Sequence, residues 1–223
     1  MIVPHNIEQT RKFYATDDEL IEDIGKAYQD VIKQFYAAGC RNLQLDDCTW
    51  GMMADRSGHL AYGTTAEGLK EIQKIHKDIN NQVIANAPKD LTINTHVCRG
   101  NFHSTYANSG AYDPVADILF GEENVNAYYL EFDDERSGGF APLAKVSGDK
   151  KVVLGLITTK SPKLENKEEV IARIKEAANY IPLDRLYLSP QCGFASCEIG
   201  NKLTEKEQWD KLRLVKEIAE EVW

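Results

Sequence analysis

The sequence predicts an α/β fold in which helices pack outside a parallel sheet. Segments with strand character alternate with segments whose apolar residues recur at helical spacing, in the order of one helix and then five strand–helix units. Capping residues precede several of the helical segments, and polar residues gather where the strands end. Alternation of this kind is typical of parallel sheets, because each new strand must be reached by a crossover.

The first helix begins near Thr16, where Glu19 is placed to complete a capping box. Its apolar stripe consists of Leu20, Ile24, Tyr28, Val31 and Phe35. The later helices are indicated by Leu69, Ile72, Ile75 and Ile79, by an Asp113-Pro114 start, by an Asn166 cap, and by Thr204 with Glu207. The predicted strands are residues 42–46, 91–96, 127–132, 151–157 and 186–188.

Two architectures fit five such units. They could form an open doubly wound sheet, or they could be the last five units of a (β/α)8 barrel. A complete barrel needs about 250 residues, and this chain of 223 residues is short by roughly three units. We treat residues 1–223 as one domain, since no linker or low-complexity tract divides them.

Composition narrows the function classes. The net charge is -9 and Lys and Arg form no cluster, so nucleic acid and anionic membrane surfaces are not expected partners. No apolar run approaches the roughly 20 residues that span a bilayer, and the first residues lack the apolar core of a signal peptide. We therefore expect a cytoplasmic protein. Its five cysteines are an odd number, so reduced thiols are expected.

Four potential metal ligands lie at or just after predicted strand ends: His96, Cys98, Glu131 and Cys192. The carboxyl ends of parallel strands lie along the same edge of a sheet, so these side chains are expected to converge. Thiolate and imidazole are the preferred ligands of zinc, and a carboxylate is acceptable. Glu131 is the most unusual of the four, because a carboxylate in an apolar run needs a partner.

Such a ligand set has a chemical consequence. Two thiolates, one carboxylate and a neutral imidazole leave a formal charge of about -1 around a zinc ion. An incoming thiol that displaces the glutamate would be held as a nucleophilic thiolate near neutral pH. The expected reaction is S-alkylation, in which the thiolate attacks an activated carbon. A purely structural zinc site is a weaker alternative, since glutamate is a poor structural ligand.

At this point the motifs resemble a known family. They are Gln44-Leu45-Asp46-Asp47, Thr95-His96-Val97-Cys98, Leu130-Glu131 with Arg136-Ser137, Ser161-Pro162, and Ser189-Pro190-Gln191-Cys192-Gly193-Phe194. In order and spacing they are similar to the C-terminal catalytic barrel of cobalamin-independent methionine synthases, and more closely to short methionine synthase-like proteins. The resemblance implies a TIM-barrel type of fold, here its last five βα units. It also implies zinc-dependent methyl transfer to the thiol of homocysteine, which forms methionine.

The resemblance assigns roles by position. His96, Cys98, Glu131 and Cys192 match the zinc ligands, and Asp46 matches the aspartate that holds the amino group of homocysteine. Lys160 stands where family enzymes have an acidic histidine, so the methyl donor is open between a folate, a methylated corrinoid and another methyl compound. Two interpretations of Lys160 stay open: it could be catalytic, or it could be a solvated lysine of the loop.

Two further expectations follow. Trp50 lies just beyond the first strand and could line the donor pocket or pack on the protein surface. A barrel without its first strands has open edges, which a homodimer could cover. The alternative function is therefore a truncated, non-catalytic zinc-binding remnant of the barrel, which lacks the N-terminal part of the substrate pocket.

Overall fold

The computed structural model describes residues 7–55 and 57–223, so the domain predicted over 1–223 lies partly outside the described residues. The strands are β1 (Asn42–Asp46), β2 (Thr92–Val97), β3 (Ala127–Glu131), β4 (Lys151–Ile157) and β5 (Leu186–Pro190). The helices are α1 (Ile7–Thr10), α2 (Asp17–Ala37), α3 (Cys48–Ala54), α4 (Gly58–Ala61), α5 (Ala66–Ile84), α6 (Asp113–Glu122), α7 (Lys167–Ala177) and α8 (Glu205–Val222). Short 3₁₀ segments are Glu135–Ser137, Ala141–Lys145 and Leu183–Arg185.

All five strands are parallel and follow each other in the order β1-β2-β3-β4-β5. This confirms the predicted α/β class with a parallel sheet. A doubly wound sheet reverses its strand order at a switch point, and this sheet does not. Because successive right-handed crossovers run in one direction, they place the connecting helices on one face of the sheet.

The two faces of the sheet differ in chemistry. Register neighbours in parallel strands point to the same side, and one side carries Ile93, Tyr128 and Val152, which join the hydrophobic core. The Tyr128 hydroxyl donates to the Leu119 carbonyl of α6, so this is the helix-covered side. The opposite side carries polar residues, among them Gln44, Asp46, Asn94, His96, Tyr129 and Glu131.

The predicted helix starts are confirmed. Thr16 with Glu19 and Thr204 with Glu207 form complete capping boxes, and the Asn166 side chain accepts from the Glu169 N–H.

The apolar stripe of α2 lies differently from the prediction. Tyr28, Val31 and Phe35 are 51%, 43% and 52% exposed, while Gly25 and Ile32 are the buried residues of the helix. β1 is an edge strand of the described sheet, so no further strand lies beside it for this stripe to cover.

Helix α3 was missed by the sequence analysis. It follows β1 directly, and the Asp47 side chain caps it by accepting from the Thr49 N–H. Its seven residues are too few for a periodic signal. A Cβ at Gly51 would lie 2.4 Å from the Cys98 carbonyl oxygen, so glycine is needed where α3 packs against the end of β2.

Within the part of the chain that the structure describes, no helix has both the length and the hydrophobicity needed to cross a bilayer.

Candidate metal centre

Four side chains meet at the carboxyl edge of the sheet: His96, Cys98, Glu131 and Cys192. One donor atom from each lies within 4.8 Å of the others, and all but Cys192 are buried. The two sulfur atoms are 3.9 Å apart. Two sulfurs on a tetrahedral zinc ion with bonds of about 2.3 Å lie about 3.8 Å apart. The donor types and this spacing fit a zinc ion.

The imidazole of His96 is oriented as a metal ligand would be. Its Nδ1 donates to the Tyr129 carbonyl oxygen at 3.1 Å, which leaves the lone pair on Nε2. Nε2 is buried and makes no hydrogen bond in the structure. Burial disfavours the charged ring, but the adjacent Cys192, Glu131 and Asp46 outweigh it and raise the pKa of His96. A metal would take the place of the proton that these groups attract.

The two cysteine sulfurs lie within hydrogen-bond distance of each other. This contact, together with the adjacent His96, lowers the pKa of Cys192. The same hydrogen bond, together with burial, raises the pKa of Cys98. The Gly100 N–H also donates to the Cys98 sulfur at 3.4 Å. The lowered pKa of Cys192 favours the thiolate form that metal binding requires.

The carboxylate of Glu131 has the partner that its apolar strand demanded. The Arg136 Nη2 donates to Oε2 at 2.6 Å, and the Arg99 backbone N–H donates to Oε1 at 2.8 Å. Burial raises the pKa of Glu131, while Lys160 and these two donors act in the opposite direction. In the sequence Arg136 stands out only as part of a motif, because nothing local indicates which acid it binds.

Asp46 lines a cleft together with two of the four candidate ligands, His96 and Cys192. Asp46 is exposed and is the register neighbour of His96. The cleft has a volume of about 440 Å³, and its lining includes Gln44, Asp46, His96, Tyr129, Cys192 and Ser196. Partial burial raises the pKa of Asp46, and His96 opposes this. A carboxylate thus lies beside His96, in the cleft that Cys192 also lines.

Lys160 and Trp50 lie in different surroundings. The Lys160 ammonium donates to Asn101 Oδ1 at 3.3 Å, and its charge acts on Glu131, so it belongs to the site. Trp50 has no exposed surface and contacts the His76 ring edge-on at 5.2 Å. It does not line the cleft, so its predicted contact with a methyl donor has no support from its position, and the expectation that it packs on the surface is wrong because the side chain is fully buried.

Asn101 is a site residue that the sequence analysis missed. Its Nδ2 donates to the Gly193 carbonyl at 2.6 Å and to Ser196 Oγ at 2.7 Å. Its Oδ1 accepts from Lys160 and from Asn201. Asn101 therefore ties together the loops that follow β2, β4 and β5. Its partners are 59 to 100 residues away, so no local pattern could have identified it.

A second cavity lies beside the edge strand β1. It has a volume of about 370 Å³ and is lined mainly by apolar residues of α2 and α5, including Ile24, Tyr28, Ile72, Ile75, Ile79 and Val83. Asp47 and His76, paired at 2.8 Å, lie at its polar end.

The sequence profile of the cobalamin-independent synthase catalytic domain matches residues 11–221. This chain belongs to that family. It is 49% identical over 215 residues to the uncharacterized protein YxjG of Bacillus subtilis. It is 24% identical over 182 residues to the methionine synthase of Pyrococcus abyssi, and 26% identical over 174 residues to the 5-methyltetrahydropteroyltriglutamate–homocysteine methyltransferase of Herpetosiphon aurantiacus.

Solved structures of the family share the fold. A candidate vitamin-B12 independent methionine synthase from Listeria monocytogenes superposes with a TM-score of 0.73 at 37% identity, over 94% of this chain and 57% of that one. A B12-independent methionine synthase from Shewanella, solved with selenomethionine, gives a TM-score of 0.69 at 20% identity, over 94% and 56% of the two chains.

The chain is shorter than these relatives. The match to YxjG covers 94% of this chain but 56% of the relative, and the matches to the Pyrococcus and Herpetosiphon proteins cover 45% and 20% of theirs.

Proposed function

We propose that this chain is the zinc-binding part of a methyltransferase that moves a methyl group to the thiol of homocysteine and forms methionine. The observation that carries the proposal is the convergence of His96, Cys98, Glu131 and Cys192, with the His96 Nε2 buried and unbonded. These four residues would hold the zinc ion. Zinc bound there would lower the pKa of a substrate thiol and keep it as a thiolate.

The remaining residues would bind and orient the substrates. Asp46 offers an exposed carboxylate in the same cleft, the natural partner for the ammonium group of an amino acid. Lys160 brings a positive charge close to Glu131 and is held there by Asn101. We assign Lys160 the role of balancing the change in charge that occurs when the methyl group leaves its donor. That donor is a folate, a methylated corrinoid or another methyl compound.

We also propose that the sheet is the larger part of a (β/α)8 barrel. Three features support this: the unreversed strand order, the polar face of the sheet, and the second cavity, an apolar groove beside β1 that adjoins the exposed stripe of α2. Further βα units would cover the groove and the stripe, supplied by a longer chain or by a second copy. Without these further units the cleft would stay open, and this would favour a second candidate function: a zinc-binding remnant of the barrel that does not catalyse methyl transfer.

The two candidates differ in their response to homocysteine. We expect purified protein to hold stoichiometric zinc, and we expect the zinc X-ray absorption spectrum to gain a sulfur neighbour when homocysteine is added. Asp46→Asn should weaken this response without loss of zinc, whereas Asp149→Asn, an exposed aspartate before β4, should not. Zinc that is retained with an unchanged spectrum would rule out catalysis by this chain and leave the remnant.

A further inference from the structure

We infer that Arg136 is a positioning residue that prepares Glu131 to yield its place at the metal to the substrate thiol. The inference rests on the proposed function and concerns a residue outside the four ligands. Arg136 lies in the 3₁₀ segment Glu135–Ser137, five residues after Glu131, and its side chain is 3% exposed.

The guanidinium group is held on several sides. Its Nη2 donates to Glu131 Oε2 at 2.6 Å and to Asp133 Oδ1 at 2.8 Å, and its Nη1 donates to Asp134. The ring of Tyr106 lies 4.7 Å from its central carbon. Because these contacts fix the guanidinium independently of Glu131, it stays in place when the carboxylate moves between partners.

Arg136 affects Glu131 in two ways. A carboxylate oxygen has two lone pairs, so Glu131 can bind a metal and keep its hydrogen bonds to Arg136 and Arg99. The charged hydrogen bond draws negative charge from the carboxylate, so the bond to the metal is weaker than a free carboxylate would form. When that bond breaks, Arg136 still donates to the buried carboxylate and pairs its charge directly, whereas Lys160 acts on the same charge without a hydrogen bond.

The other three ligands have no such partner among the described residues. His96 donates to a carbonyl oxygen, Cys98 accepts from a backbone N–H, and the two sulfurs contact each other. Among the residues that the structure describes, Glu131 is the only one of the four with a hydrogen-bonded guanidinium to pair its charge in the released state. The structure thus singles out Glu131 as the ligand that a thiol replaces, and Arg136 as the residue that makes the exchange easy.

Cobalt(II) is a suitable probe, because its visible absorption reports both the number of ligands and the arrival of a sulfur. Cobalt-loaded protein would be titrated with homocysteine, and the affinity for cobalt would be measured separately by competition with a chelator. We expect Arg136→Gln to keep cobalt affinity within about 10-fold and to weaken homocysteine binding by about 10-fold or more. Arg136→Lys, which keeps the charge, should recover part of the loss.

Two controls address folding and specificity. Arg136→Gln leaves Asp133 buried without its cation, so the substitution is also made together with Asp133→Asn. Arg185→Gln removes another partly buried guanidinium, one that binds the carbonyls of Lys150 and Val146 before β4, and should change neither affinity.

In a Glu131→Ala background, Arg136→Gln should have no further effect on homocysteine binding, because the two residues act as one unit.

The inference is overturned if homocysteine binds Arg136→Gln as tightly as the unsubstituted protein, or if the substitution acts equally with and without Glu131. It is also overturned if Arg136→Gln abolishes cobalt binding, because Arg136 would then hold the ligand without easing its exchange. An unsubstituted cobalt protein whose spectrum ignores homocysteine would instead refute the proposed function, and the inference with it.

Discussion

Replacement of Gly155 by alanine tests the link between strand packing and the metal site. Gly155 lies in β4, in register with Glu131 on one side and Ser189 on the other. A Cβ there would lie 2.7 Å from the Gln191 Cα and 2.7 Å from the Leu130 carbonyl oxygen, whereas ordinary contact begins at 3.4 Å. Both atoms belong to the backbone, so neither can rotate away, and the strands must separate by several tenths of an ångström.

The cost can be estimated from this overlap. Overpacking of a well-packed interior costs about 1–3 kcal/mol, and two backbone contacts place this change at the upper end, at about 3 kcal/mol. With an m value of about 3 kcal/mol/M, the urea midpoint should fall by about 1 M. The same movement displaces Gln191, the neighbour of Cys192, relative to Glu131. Zinc affinity, measured by chelator competition, should therefore fall as well.

Gly121→Ala is the matched control. Gly121 lies in α6, and a Cβ there would meet no atom within 4 Å. Alanine in a helix is more favourable than glycine by about 0.5–1 kcal/mol, so the urea midpoint should hold or rise and zinc affinity should not change. If Gly155→Ala unfolded at the same urea concentration as the unsubstituted protein and bound zinc equally well, the packing argument would be wrong.

Three further substitutions test other parts of the structure. Cys192→Ser should reduce bound zinc, measured by elemental analysis, to well below one equivalent, while Cys197→Ser, which replaces a cysteine outside the group, should retain it. Burial raises the pKa of Glu123 to about 7 from 4.5, so the folded protein keeps a proton that the unfolded chain loses. The free energy of unfolding of the protein should therefore fall by about 3 kcal/mol as the pH rises from about 4.5 to about 7. Urea unfolding of the Glu123→Gln variant should not show that fall. An identical pH dependence in both proteins would contradict the assignment. Lys160→Ala should slow methyl transfer about 10-fold or more with zinc content unchanged. Lys163 is an exposed lysine of the same loop, and Lys163→Ala should leave the rate intact. Equal rates in the two variants would show that Lys160 is a plain loop residue.

Much of the secondary structure could be predicted because its signals are local. The capping boxes at Thr16 and Thr204 lie within four residues of chain, and the β-branched run of β4 is unambiguous. Helix α3 was missed because its seven residues are held by the Asp47 cap and by packing on β2 rather than by periodicity. Trp50 was therefore read only as a residue beyond a strand end, whereas it lies in α3 and is buried.

The sequence alone determined which side chains reach the carboxyl edge of the sheet, because the strand pattern shows where each strand ends. On that basis, and from the order of the family motifs, His96, Cys98, Glu131 and Cys192 were predicted to lie together, and their donor atoms lie within 4.8 Å of one another. Only the tertiary structure decided that the two sulfurs, 94 residues apart, lie 3.9 Å from each other, and that Arg136 binds Glu131. Those distances depend on strand register and loop packing, which arise from contacts between distant parts of the chain and leave no local pattern in the sequence.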